Sequence, residues 1–113
     1  MLRWPDTETV RHAAHTWAEA LVEAEPAIVA VGYFGSYARG DAGVGSDLDL
    51  VVIVRESALP FERRAAAWPI ESLPVPADVL VYTQVEWSRF ADHSPRFAQV
   101  LREETRWLVG GMA

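Results

Sequence analysis

Apolar residues recur at helical spacing between Thr7 and Glu25, at Val10, Ala13, Ala14, Trp17, Ala18 and Leu21, which predicts an amphipathic helix. Asp6 or Thr7 can accept a backbone N–H left unpaired at its start, and Pro26 ends it by removing a donor. The pattern then becomes continuously apolar. Ala27 to Phe34 (AIVAVGYF) has the length and character of a buried strand. After the pair Gly35-Ser36, Tyr37 to Asp41 has room for one helical turn at most, and Gly40, Gly43 and Gly45 make the next stretch irregular. Asp47 to Arg55 (DLDLVVIVR) opens with strict alternation and turns wholly apolar, as a central strand covered on both faces should.

Pro60 to Trp68 predicts a short helix rich in arginine and alanine, and Pro69, Pro74 and Pro76 interrupt the chain before a third strand, Ala77 to Thr83 (ADVLVYT). Gln84 to Ala91 and Pro95 to Leu108 read as two closing helices, with Ser94 as a cap and Gly110 as a stop. The simplest assembly is an α/β (α+β) fold with a small three-stranded sheet covered by helices. The link between the first two strands is too short for a crossover, so they should run antiparallel, whereas the third strand follows a helix and can pair in parallel. At 113 residues, without a repeat or a long linker, residues 1–113 read as one domain.

Composition narrows the function classes. The formal net charge is −6 and every basic residue is a scattered arginine, which disfavours direct nucleic-acid binding, since that depends on clustered cations displacing counterions. There is no cysteine, so disulfides and thiolate metal sites are excluded, in keeping with a reducing compartment. The start, Met1-Leu2-Arg3-Trp4-Pro5-Asp6, has no apolar leader core, and no apolar run is long enough to span a bilayer. The expectation is a cytoplasmic protein with no membrane contact.

The chemistry concentrates in Gly35 to Leu50, GSYARGDAGVGSDLDL. Asp47 and Asp49 lie two residues apart at a strand start, so their carboxylates project from one face with Cα atoms about 6.6 Å apart, while Leu48 and Leu50 face the core. Two anions held together on an apolar strand repel unless a cation sits between them, and oxygen-only ligation suits Mg²⁺. Asp78, opening the third strand, is the candidate third carboxylate. Such a trio can hold two metals, one activating a hydroxyl and the other steadying a leaving pyrophosphate. Gly35 lets the backbone approach a triphosphate, Ser36 adds a hydroxyl donor, and Arg39 is placed either to neutralise phosphate or to pair with Asp41 or Asp47.

Gly35-Ser36, ten residues, then Asp47-Leu48-Asp49, followed by an aspartate on a later strand, resembles the nucleotidyltransferase superfamily that includes DNA polymerase beta. The short chain and the form of the motif are similar to its minimal nucleotidyltransferase (MNT) branch. The resemblance implies a nucleotidyltransferase fold with a three-stranded mixed sheet flanked by about four helices. It also implies transfer of a nucleoside monophosphate, AMP from ATP, to a hydroxyl with pyrophosphate leaving. It assigns Asp47, Asp49 and Asp78 to two Mg²⁺ ions, and Gly35 and Ser36 to the triphosphate. Minimal members commonly pair with a small helical HEPN toxin, so the resemblance implies an antitoxin that adenylylates its partner. The alternative is a non-catalytic antitoxin that neutralises a HEPN partner by binding it. Transfer to a small molecule or an RNA end is a third reading, disfavoured by the acidic surface and by the lack of a second domain.

The remaining residues invite plainer readings. The spacing of Gly40, Gly43 and Gly45 does not fit a dinucleotide-binding loop, and no Gly-Lys-Ser/Thr is present for a Walker-type site. His12 and His15, near Glu8 and Glu19, read as a polar helix face, and His93 as a solvated turn residue. Of the five tryptophans, Trp17 and Trp107 fit helix core positions, while Trp68 and Trp87 near helix ends are candidates to stack on a base or anchor a partner. Trp107-Leu108-Val109 can cap the core or support a homo-oligomer.

Overall fold

The computed structural model describes residues 4–110; the first and last three residues, including the start of the stretch without a leader pattern, lie outside it. Helix α1 (Thr7–Ala24) leads into strand β1 (Ile28–Phe34), the single-turn helix α2 (Ser36–Arg39) and strand β2 (Leu48–Val54). Helix α3 (Phe61–Arg64) with a 3-10 turn (Ala65–Ala67), strand β3 (Ala77–Thr83), helices α4 (Gln84–His93) and α5 (Pro95–Glu104), and strand β4 (Arg106–Val109) complete the order. Asp6 caps α1 by accepting from the Thr9 N–H at 2.8 Å, and the Glu25 N–H closes it on the Leu21 carbonyl just before Pro26.

The strands form one mixed sheet in the order β3-β2-β1-β4. β1 and β2 are antiparallel and β2 and β3 parallel, as expected from their connections. Alternation splits the side chains into two layers. Leu48, Leu50, Val52 and Val54 join Val31, Tyr33 and the apolar stripe of α1 in the larger core. Val51 and Ile53 turn to the other face, where Ala30, Trp87 of α4 and Leu101 of α5 cover them. β2 is thus buried on both faces from Leu50 onward, which explains its unbroken apolar run.

The structure corrects the expected three-stranded sheet: among the described residues it has four strands and five α-helices. The predicted closing helix Pro95–Leu108 stops at Glu104, and Arg106–Val109 instead pairs antiparallel with β1. Without β4, the outer edge of a buried strand would carry unpaired backbone groups, a cost that outweighs the weak helical preference of Thr105-Arg106-Trp107-Leu108-Val109. Trp107 therefore packs from a strand, edge-on to Trp87 at 5.7 Å between ring centroids, and Trp87 is buried rather than exposed. Leu108 and Val109 pack against the larger core. His93 closes α4 instead of lying in a turn, and the predicted helix Pro60–Trp68 narrows to α3 and its 3-10 turn.

One buried charge ties the β2–β3 crossover to β3 and the start of α4. Arg64, almost fully buried, donates to the carbonyls of Leu59 (2.9 Å) and Val81 (3.2 Å) and pairs with both carboxylate oxygens of Glu86. Glu86 also accepts from the Thr83 N–H at 2.8 Å in a capping box that starts α4. Its hydrogen bonds from Arg64 outweigh burial and hold its carboxyl below the usual range. A depressed folded pKa contributes stability above the unfolded value, near ~4.3, that is lost as pH falls through the folded one. The urea midpoint of the wild type should therefore fall on acidification below about pH 5, with Glu86→Gln less stable at neutral pH and flatter across the acid range. β4 lies so close to β1 that a β-carbon at Gly32 would sit 2.9 Å from the Arg106 carbonyl oxygen and 2.8 Å from a Thr105 methyl. Gly32→Ala should cost about 1–3 kcal/mol, read as a lower urea midpoint.

Candidate active site

The two parallel strands β2 and β3 start side by side because the Leu48 N–H donates to the Pro76 carbonyl at 2.9 Å. Their register pairs Asp49 with Asp78, and strands in one sheet run about 4.8 Å apart. By alternation both carboxylates leave the face that also carries Val51 and Ile53, with Asp47 one step earlier on the same side. Asp47 and Asp78 are exposed and Asp49 is partly buried. On the neighbouring strand Phe34 stands opposite Asp49, so the end of β1 delivers Gly35 to the carboxylates. An open pocket of about 540 Å³ lies here, lined among others by Phe34, Asp49, Asp78 and Leu80. A larger concavity of about 670 Å³ lies between α1 and the Trp68–Ser72 stretch; half-buried Trp68 lines it, and Glu25 is its only acidic residue.

Gly35 is the tightest point of the site. Its φ of 75° lies in the region that side chains avoid, and a β-carbon there would collide with the Oδ2 atom of Asp49. The turn that follows is fixed from two directions. Arg11 of α1 donates to the Tyr37 carbonyl at 2.8 Å, and Arg106 of β4 donates to the Ala38 carbonyl at 2.8 Å. Tyr37 is buried, and its hydroxyl donates to the Ser46 carbonyl at 3.4 Å, spanning the glycine-rich loop. The Glu104 Oε1 atom accepts from the Gly35 N–H at 2.8 Å and from Arg39 Nη1 at 2.8 Å. Arg39 also pairs with Asp41 at 3.2 Å; no bond to Asp47 is formed among the described residues.

Electrostatics single out Asp49. Burial first, then the charges of Asp78 and Asp47, push its carboxyl above the usual range, and Arg39 offsets this only in part. A partly buried carboxylate beside two others favours a positive charge nearby. The donor set is oxygen only and fits a hard divalent ion such as Mg²⁺. Among the described residues no three acidic or imidazole groups are already gathered around one point. These carboxylates would hold such an ion together with phosphate oxygens and water, the mixed shell Mg²⁺ prefers. His12 and His15 stand apart on the exposed side of α1, where His15 meets Glu19 at 3.0 Å.

The sequence offered Gly35, Ser36, Arg39, Asp47, Asp49 and Asp78 as candidates, but not the contacts by which Glu104, Arg106, Arg11 and Tyr37 hold the turn. Glu104 and Arg106 could be read only by recognising β4, which returns them to the site across more than sixty residues. The structure thus sets the Asp49–Asp78 pair, with Asp47 on the same strand face, beside a glycine turn of close approach. The nucleotidyltransferase domain model matches residues 16–108, and the chain belongs to that family.

Solved structures agree on the fold. One is a crystal structure of a protein assigned as a nucleotidyltransferase from Sulfolobus solfataricus, 23% identical, with a TM-score of 0.60, covering 74% of this chain and 75% of the other. A toxin–antitoxin structure with AMP-PNP is 18% identical, with a TM-score of 0.60 over 87% of this chain and 74% of the other. A mutant of the toxin–antitoxin MntA-HpeT is 17% identical, with a TM-score of 0.59 over the same shares, 87% and 74%. No curated protein matches the chain significantly.

The raised Asp49 has a consequence for the metal-free protein. A carboxyl with a folded pKa above its unfolded one contributes stability at low pH that is lost as pH rises through the folded value. Asp49→Asn should therefore melt a few degrees higher than wild type at neutral pH in chelator, and added Mg²⁺ should raise the melting temperature of the wild type only.

Proposed function

We propose that this chain is a minimal nucleotidyltransferase that transfers AMP from ATP to a hydroxyl of a partner protein, as the antitoxin of a HEPN/MNT toxin–antitoxin pair. The observation that carries the chemistry is the register of Asp49 against Asp78 beside the Gly35-Ser36 turn. The family match supports the class of reaction. The toxin–antitoxin setting and the adenine nucleotide are supported by the neighbours whose descriptions carry them.

In this reading Gly35 and Ser36 seat the triphosphate, Ser36 through its N–H and hydroxyl. Asp47, Asp49 and Asp78 would hold two Mg²⁺ ions, which would supply acidification of the acceptor hydroxyl and charge neutralisation for the departing pyrophosphate. The acceptor oxygen attacks the α-phosphorus, a new P–O bond forms, and the bond to the bridging oxygen breaks to release pyrophosphate. The hydroxyl proton passes to a carboxylate of the trio, for which the exposed Asp47 and Asp78 are the accessible choices. The protein's own contribution is positioning and charge neutralisation rather than covalent chemistry. Among the described residues no helix is long and apolar enough to cross a membrane. We place the protein in the cytoplasm, where ATP and a co-encoded toxin are both available.

With labelled ATP, Mg²⁺ and the co-encoded partner, the label should move to the partner and the signal should fall to background in the Asp47→Asn, Asp49→Asn double variant. Transfer that survives the double substitution would rule out this site. Neutralisation of the partner that persists in the double variant without any label transfer would instead favour the binding-only antitoxin.

A further inference from the structure

Three contacts join the C-terminal segment to the turn that follows β1. The Glu104 carboxylate accepts from the Gly35 N–H at 2.8 Å and from Arg39 at 2.8 Å, and Arg106 donates to the Ala38 carbonyl at 2.8 Å. The segment is anchored independently of them, because the Thr105 N–H ends α5 on the Leu101 carbonyl and β4 then pairs with β1. Leu101 is fully buried, so Glu104 is presented from a fixed point.

Charge alone makes Glu104 an odd choice. It adds a fourth carboxylate near Asp47, Asp49 and Asp78, and it raises the Asp49 carboxyl further. A bulky neutral side chain would fill the space without that repulsion. What a carboxylate adds is charge-assisted hydrogen bonding to two donors at once, a backbone N–H and a guanidinium. Those donors bracket Ser36, Tyr37 and Ala38, so gripping both fixes the turn that carries Ser36. Arg39, shared between Glu104 and Asp41, is thereby committed to the brace.

We infer that Glu104 is a positioning residue, which reaches back from the end of α5 to hold Gly35 and Arg39 and so sets the Ser36 turn for the triphosphate. The inference rests on the nucleotide site proposed above. Its role is mechanical: phosphates bind to a turn already in the required conformation, so less ordering remains to be done on binding. Arg39 serves as the far anchor of the brace rather than as a phosphate ligand.

The test compares wild type, Glu104→Gln and Glu104→Ala as full-length chains. It measures Mg²⁺-dependent binding of ATP and of inorganic triphosphate by calorimetry, and amide exchange at Gly35. Glu104→Ala should weaken both ligands about tenfold or more. Glu104→Gln, which keeps an acceptor for the Gly35 N–H but loses the ion pair, should fall between. Gly35 exchange should accelerate in the same order, with circular dichroism unchanged. If Glu104→Ala does not fold, the isosteric Gln variant carries the comparison alone. A variant that melts lower yet binds triphosphate as wild type does would make Glu104 merely structural and overturn the inference. Tighter binding in either variant would also overturn it, because the carboxylate would then be competing with phosphate. A wild type that binds neither ligand would instead sink the nucleotide site itself, and the brace with it.

Discussion

β2 spends most of its length buried between two apolar layers, yet Asp47 and Asp49 stand at its N-terminal end. Everything else in the molecule accommodates that conjunction. Five consecutive buried residues from Leu50 to Val54 fix the strand in register and height, so the carboxylates cannot retreat into solvent by sliding. A shift of one residue would move Leu48 and Leu50 out of the core and Asp49 into it. The apolar interior thus holds charges together that would otherwise separate. β3 adds Asp78 through parallel pairing, which demands the crossover supplied by α3 and its 3-10 turn. The Arg64–Glu86 pair secures that crossover to the start of α4, and because Ala65 and Ala66 next to Arg64 line the pocket, this buried charge is part of the site's support.

The same conjunction explains the local sequence around the turn. Because Asp49 is held rigidly, the chain leaving β1 must pass close to its oxygen, and only a residue without a β-carbon fits. The four-residue helix after it is too short to stabilise itself. Its geometry is borrowed instead from α1 through Arg11 and from β4 through Arg106. A site built on a short turn therefore acquires the rigidity of elements distant in sequence.

Much of this was legible from the sequence, for definite reasons. Periodicity located α1, alternation located the start of β2, and the spacing of Gly35-Ser36 from Asp47 and Asp49 marked the family, because each is a local pattern. The antiparallel and parallel pairings followed from connection length. β4 was not legible, since Thr105 to Val109 is equally apolar as a helix end and only the unpaired edge of β1 decides its conformation. Trp87 and Trp107 were misplaced for the same reason: once β4 exists, the two rings meet across α4 and the sheet. Glu104 was invisible because its meaning depends on a contact sixty-nine residues back in the chain.

The missed strand also changes how the family motif should be understood. Read as sequence, Gly35 to Leu50 looks self-sufficient. In the fold, the residues around Ser36 are held by groups from α1, α5 and β4, and the N–H of Gly35 is already committed to Glu104. The motif supplies the turn and the carboxylates, while the C-terminal segment holds that turn in shape. Arg106–Val109 completes the sheet edge directly after Glu104, so the pairing that closes the sheet also brings Glu104 and Arg106 to the turn that they hold.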